Sequence, residues 1–355
     1  MWQATGRSFF GDLLGEEAKK MEEARQWFHT FDDSFPLLAG GVPPQFLRGV
    51  SMAMSKMRAI FNSPATVPTG LSEIVAFRQD FLSKNYDGNS HGVFQLAFLW
   101  ATMANTLPST FWALYFILSD PAARIACTNE AKEIMGPWLS SQAQSDSQET
   151  DPDQVAKIIN AMPCLESAVS EALRLCIGSL TLRRAMSSFD LNLSDGEKVR
   201  VREGDRVVLA PTLTHYDEEV YPQPFEFKWD RFMVSGGNHE NRGEKISLSS
   251  APSMPPRFKN GKKLPAAIAL QPFGGGHTMC PGRHFARAEI KAFLALVLVS
   301  LDITILSEDS SGEKVEGDVP ISVKGPGFPG FAQARAGLGA LPPFQKVPFK
   351  IKLKQ

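Results

Sequence analysis

Apolar positions recur at helical spacing through most of the first half of the chain, and the intervals between these runs carry the punctuation. A polar helical pattern over residues 11–31 predicts a surface helix, broken by Phe35-Pro-Leu-Leu-Ala-Gly-Gly-Val-Pro-Pro44. A second helix is predicted over 45–61 and, after a turn-rich stretch over 62–70, an amphipathic one over 71–83. Tyr86-Asp-Gly-Asn-Ser90 reads as a loop ending in Ser90 as N-cap. Residues 91–118 are apolar on most faces, with Phe94, Leu96, Phe98, Leu99, Trp100, Met103, Phe111, Trp112, Tyr115 and Phe116, which predicts a helix buried through the middle of a domain. Asp120-Pro121 restarts a helix to residue 135. The acid-bearing Ser/Gln-rich stretch 139–153 reads as a solvated loop, and 163–175 as a further helix.

The period then changes. Segments 180–193, 198–202 and 206–210 alternate or carry β-branched residues between turn signals, which predicts short strands. Residues 214–276 have little periodicity but too many aromatic residues for disorder, so a packed irregular region is expected. A helix over 282–301 and two or three strands close the chain. Helices lead and strands are confined to the second half, so the fold class is mainly α with small segregated β-sheets. No internal repeat is present.

Composition narrows the class. With 355 residues, 43% hydrophobic and 21% charged, the chain can bury a large core, which excludes a disordered, collagenous or coiled-coil protein. A formal charge of −1 gives no global attraction to nucleic acid, and no nucleic-acid partner is expected. Cys127, Cys164, Cys176 and Cys280 form no CxxC pair, which argues against a disulfide framework or structural zinc and favours a reducing compartment. The longest apolar run, 292–301, falls short of the about 20 residues a spanning helix needs. Arg7, Asp12, Glu16, Glu17, Lys19 and Lys20 come too early for a secretory leader at Met1.

Candidate chemistry centres on Phe273-Gly-Gly-Gly-His-Thr-Met-Cys280-Pro-Gly282, which sets one thiol at a helix start behind a glycine-rich loop. Free N–H groups and the positive end of a helix dipole favour thiolate there, and glycines let backbone approach a flat ligand. Three uses are open: reactive nucleophile, metal ligand with His277 and His284, or axial ligand to haem iron. Upstream, Glu171-Ala-Leu-Arg174 places a carboxylate and a guanidinium one helical turn apart, where they can pair. Near the centre of the buried helix, Ala104-Asn105-Thr106-Leu-Pro108 contains a proline with no N–H for the carbonyl of Ala104, so a bend is expected.

Phe273-x-x-Gly276-x-x-x-Cys280-x-Gly282 resembles the haem-binding loop of the cytochrome P450 family. Glu171 and Arg174, followed by Pro222, Pro224, Phe227 and Arg231-Phe232, resemble the family's ExxR pair and the arginine that joins it, in family order. The resemblance implies haem b with Cys280 as axial thiolate and Phe273, Gly276, Thr278 and Gly282 around it. It implies a propionate-binding role for Arg183 and a structural network of Glu171, Arg174 and Arg231. Thr278 stands where many members carry Arg or His, which implies one hydrogen bond to a propionate in place of an ion pair. Over the oxygen site the family carries an acid and then Thr; Ala104 and Asn105 stand in those places here, with Thr106 following, so proton delivery is expected to use an amide and ordered water.

Residues 99–112 narrow the resemblance to the steroid 7α-hydroxylase, sterol 12α-hydroxylase and prostacyclin synthase group. Arg335-Ala-Gly-Leu-Gly339 with Pro342-Pro343, and Phe31-Asp32 with Phe35-Pro36, lie nearer its 7α-hydroxylases. The implied activity is sterol or lipid mono-oxygenation with O2 and electrons from NADPH through cytochrome P450 reductase, at the cytoplasmic face of the endoplasmic reticulum membrane. Endoperoxide isomerisation, or a haem-free form of the chain, is the alternative. Met1-Trp-Gln-Ala matches a point well inside the family, so residues 1–355 are expected to be a partial haem domain without the membrane anchor, first sheet and early helices, including the helix that gives a Trp and an Arg to the propionates. A local excess of Arg257, Lys259, Lys262, Lys263, Arg283, Arg287 and Lys291 over Glu289 is the surface expected to meet an acidic reductase, with Lys262, Lys263 and Arg287 as its leading residues.

Overall fold

The computed structural model describes the chain except for residue 16 and residues 63–69, 144–150, 194–195, 234–254, 309–313, 317–321, 326 and 355. It divides into two compact units, Met1–Pro108 and Ser109–Gln355.

In the first unit, α1 (Trp2–Phe10), α2 (Ala18–Ala39), α3 (Val50–Asn62), α4 (Glu73–Asn85) and α5 (Gly88–Met103) surround Phe10, Leu14, Met21, Phe28, Met57 and Leu99. The single helix expected over 11–31 is two, because Gly15 adopts φ 123°, outside any helix. The expected break falls inside 35–44, where α2 ends at Ala39 with Gly40 as its C-cap. Helix α2 runs through Pro36, since Phe35 stacks on Trp100 at 4.0 Å and the Trp100 indole donates to Asp32 at 2.8 Å, contacts that outweigh the lost helical hydrogen bond. Asp87, not Ser90, caps α5: its carboxylate accepts from the Ser90 N–H at 2.9 Å. Gly92 lets α3 and α5 close on each other, because a Cβ there would stand 2.5 Å from the Arg58 carbonyl oxygen.

The helix expected over 91–118 is interrupted. Helix α5 stops at Met103 and α6 (Thr106–Ser119) begins after Ala104 and Asn105, where Pro108 has no N–H to continue the ladder. Burial is uneven along it. Val93 and Phe94 are exposed, whereas Trp112, Tyr115, Phe116 and Ile117 are buried.

The second unit packs α7 (Pro121–Ala143), α8 (Pro152–Asn160), α9 (Pro163–Cys176) and α12 (Arg283–Ser300) into a bundle. Against α6 lies an aromatic cluster in which Trp112 meets Phe328 at 5.2 Å and Phe331 at 4.7 Å, and Phe116 stacks on Phe227 at 5.0 Å. The Trp112 indole donates to the Leu341 carbonyl at 2.6 Å. Helix α7 outruns its expected end and carries Pro137 inside. Helix α8, capped by Asp151, occupies sequence left without an element, while 144–150 of the expected loop lie outside the described residues. Glu130 accepts from the N–H groups of Cys164 and Leu165 at 2.7 and 2.9 Å, which ties α7 to the start of α9.

Sheets are small and antiparallel. β1 (Thr181–Arg184) pairs with β4 (Arg206–Leu209), β2 (Phe189–Asn192) with β3 (Lys198–Val201), and β7 (Leu301–Glu308) lies between β8 (Lys314–Glu316) and β9 (Phe349–Leu353). The stretch expected to be irregular holds α10 (Pro211–His215), a hairpin of β5 (Arg257–Lys259) and β6 (Lys262–Leu264), and α11 (Ala266–Ala269); residues 234–254 of it lie outside the described residues. Among the described residues no helix is long and apolar enough to cross a membrane. The chain is mainly α with small segregated sheets, as the sequence predicts.

Candidate functional site

Helix α9 is buried along almost its whole length, and its Glu171 and Arg174 face each other at zero exposure. Arg174 grips the Glu171 carboxylate through Nε at 2.7 Å and Nη2 at 2.8 Å, a two-pronged pairing. Its remaining nitrogen, Nη1, donates to the carbonyls of His215 and Pro224, so the helix is fastened to α10 and the chain beyond it. Arg231 adds its Nε to Glu171 at 2.7 Å, and its Nη1 donates to the Pro222 carbonyl at 2.8 Å. Tyr221 lies under this assembly, with its ring centre 4.9 Å from the Arg174 guanidinium. The structure brings Glu171, Arg174 and Arg231 together.

His215 continues the connection. While its carbonyl takes the bond from Arg174, its ring Nε2 accepts from the Gln271 N–H at 3.0 Å, at the foot of the cysteine loop. Burial, reinforced by the Arg174 charge, drives its pKa down to about 3, so the ring is neutral and its proton sits on Nδ1. Sequence reasoning missed this residue. A single His before Tyr216-Asp217 carries no local sign that its ring partner lies 56 residues ahead.

The loop itself is closed by backbone. Cys280 N–H donates to the Phe273 carbonyl at 2.9 Å and Met279 N–H to the Gly276 carbonyl at 3.1 Å. Gly274 and Gly276 adopt φ 74° and 65°, which only glycine takes readily, and a Cβ on either would meet nothing within 4 Å. At Gly282 a Cβ would stand 3.9 Å from the Cys280 sulfur. Cys280 is half-buried, three residues before the first of α12. Arg183, exposed on β1, donates to the Thr278 hydroxyl and to the Leu182 carbonyl, and forms no ion pair among the described residues. It therefore joins β1 to the cysteine loop with its charge unmatched. The set Cys280, His277 and His284 is not a metal cluster: no group of three or more His, Cys, Asp or Glu among the described residues could hold an ion.

Ala104 and Thr106 are buried in the first unit and Asn105 half-buried, at the interruption between α5 and α6. The expected basic surface is smaller than the sequence implies. Arg287 and Lys291 turn inward to Glu166, Lys259 pairs with Asp217, and Arg257 lies over Tyr221 and Phe232. Lys262 and Lys263 remain exposed on β6, so Arg287 does not belong with them.

The family model described as Cytochrome P450 matches residues 92–326. This chain belongs to the cytochrome P450 family. It is 35% identical over 354 residues to cholesterol 7-alpha-monooxygenase of Cricetulus griseus, covering 96% of this chain and 63% of that protein. It is 34% identical over 316 residues to cytochrome P450 7B1 of Mus musculus, covering 88% and 58% respectively. It is 29% identical over 365 residues to 5-beta-cholestane-3-alpha,7-alpha-diol 12-alpha-hydroxylase of Sus scrofa, covering all of this chain and 64% of that protein. The chain thus spans about three fifths of the length of these relatives.

A P450 holds haem iron through a cysteine thiolate, and the residues present fit that group. One sulfur donor stands alone behind glycines that leave open space where side chains would project, and an unmatched arginine is bonded to the same loop. Cys280, Phe273, Gly276 and Gly282 would hold the ring and Arg183 a propionate.

Proposed function

We propose that this P450 chain belongs to a sterol or lipid hydroxylase that uses O2 and electrons from NADPH through a reductase, at the cytoplasmic face of the endoplasmic reticulum, with 7α-hydroxylation as its reaction. The observation that carries the reading is the lone Cys280 thiol in a glycine loop anchored through His215 and Gln271 to the Glu171–Arg174 pair. The names of the 7α- and 12α-hydroxylase relatives support the substrate class.

Haem, when bound, supplies the oxygen chemistry, and a thiolate ligand favours O–O cleavage. The chain's own residues do the rest. Cys280 provides the sulfur, held by its own N–H to Phe273; Arg183 offers a cation for a propionate, while Thr278, accepting from Arg183, leaves its hydroxyl proton to give. Asn105 lies where the helical ladder is interrupted, and its amide can orient a proton-carrying water beside the Ala104 carbonyl, with Thr106 opening the next helix. Lys262 and Lys263 present charge for an acidic reductase, which chiefly raises the association rate.

The test is protein expressed from its full gene, loaded with haem and incubated with cholesterol or 25-hydroxycholesterol, reductase and NADPH. A hydroxysterol formed only with NADPH, and lowered by Asn105→Leu more than by Thr102→Ala, is the expected result. Turnover of a prostaglandin-type endoperoxide without NADPH, and none of sterol, would replace this reading with isomerisation.

A further inference from the structure

Within the second unit a pocket of about 340 Å³ opens beside the cysteine loop, bounded by the end of α8, α11 and one face of α12. That volume lies in the range of small-molecule sites. Its apolar wall is Phe232, Leu270, Phe273 and Met279, and its polar wall is Arg283, Arg287 and Lys291 with Glu166. Three cations therefore face one carboxylate.

Glu166 does not exhaust them. Burial pushes its carboxyl up, but Arg287 and Lys291 outweigh this and hold it below its ordinary value, so it is charged. Arg287 spends only Nη1, on Glu166 and on Ser170 at 3.0 Å. Arg283 spends only Nη1, on the Cys280 carbonyl at 3.1 Å. The other guanidinium N–H groups of both have no acceptor among the described residues. A planar fork of free donors suits a carboxylate, and Arg287 already pairs with one acid of the chain itself, Glu166, through Nη1 alone. Phe273, under Arg287 at 5.4 Å, and Leu270 continue the wall as hydrocarbon.

We propose that this pocket binds a small amphiphilic carboxylate, its anion taken by the free edges of Arg283 and Arg287 and its hydrocarbon laid on Phe232, Leu270 and Phe273. The site stands on side chains of the second unit and does not depend on the substrate assigned above. Because Met279 lines the pocket one residue before Cys280, and Arg283 holds the Cys280 carbonyl, occupancy reaches the cysteine loop. A bound carboxylate should therefore slow hydrogen exchange over residues 271–280.

The probe is decanoate, with decanol as its uncharged counterpart, titrated into the full chain by calorimetry and followed by hydrogen exchange. Decanoate should bind about tenfold more tightly than decanol, and Arg283→Gln should weaken it by about the same factor, as expected for one charge-assisted contact. Ala267→Trp, an exposed position on the pocket rim, should abolish binding by filling the space while the denaturation midpoint holds. Equal affinity for decanol would overturn the recognition of an anion. Full binding to the Ala267→Trp protein would overturn the location, and no binding of decanoate to the parent protein would overturn the proposal outright.

Discussion

Glu171 accepts hydrogen bonds from two guanidinium groups and from the Lys228 N–H with no exposure to water, so neither partner can be lost cheaply. Arg174→Met should cost about 3–5 kcal/mol in urea unfolding, since a carboxylate loses its principal partner inside the protein. An unchanged midpoint would show the pair to be dispensable to the fold. His215 makes a second prediction. Its folded pKa of about 3 lies below its ordinary 6.5, so its contribution is fully present above pH 6.5 and is lost as pH falls toward 3. The loss should approach about 1.4 kcal/mol per pH unit once pH is below 6. In His215→Phe the Gln271 N–H loses its acceptor, which lowers stability at pH 7, yet this acid-dependent loss disappears; parallel curves for both proteins between pH 7 and 5 would refute the assignment. The Glu171 and Arg174 pairing was legible from their three-residue spacing on one helix. Arg231 entered only through resemblance, and His215 was invisible because its partners lie 41 and 56 residues away.

Among the elements, α5 offers two glycines with opposite demands. Gly92 faces the Arg58 carbonyl at a distance no Cβ tolerates, so Gly92→Ala must push α3 away and should cost about 1–3 kcal/mol. Gly88, in the first turn, has open space around it, and Gly88→Ala should be neutral or stabilise by about 0.4–1 kcal/mol. Thermal unfolding of the two proteins checks both signs, and a loss in Gly88→Ala as large as in Gly92→Ala would refute the packing account. Helix ends were the least legible feature of the sequence. Helix α7 is expected to end at residue 135 yet runs through Pro137, and α2 keeps Pro36 inside it, where proline removes one hydrogen bond while a stacked Phe35–Trp100 pair adds tertiary contact that no local pattern displays. The β5–β6 hairpin carried the signal Asn260-Gly261, both residues at positive φ, yet its strands are basic and do not alternate, so the period gave no support.

For the whole molecule, the basic residues near the cysteine loop separate into two kinds that charge counting merges. Lys262→Glu with Lys263→Glu should leave the urea midpoint within about 0.5 kcal/mol of the parent, as for surface positions, while slowing electron transfer from an acidic reductase at low salt. Arg287→Glu should instead lower the midpoint, because it sets a second carboxylate against Glu166. A reductase defect in Arg287→Glu with no loss of stability would return that residue to the docking surface. Burial decides which kind each residue is, and burial is a property of the assembled fold that the composition of residues 257–291 does not contain.

The hydrogen bond from Trp112 to Leu341 joins residues 229 positions apart, and Phe328 and Phe331 close the same aromatic cluster. On a ribosome this means that α6, with its nearly unbroken apolar surface, emerges long before the chain that covers it has been made. At roughly 5–20 residues per second the wait is on the order of ten to fifty seconds. For that interval Trp112, Tyr115 and Phe116 are a hydrophobic stretch without its cover, a natural target for chaperones. The yield of folded protein in a cell should then follow translation speed between codons 112 and 341 and chaperone supply.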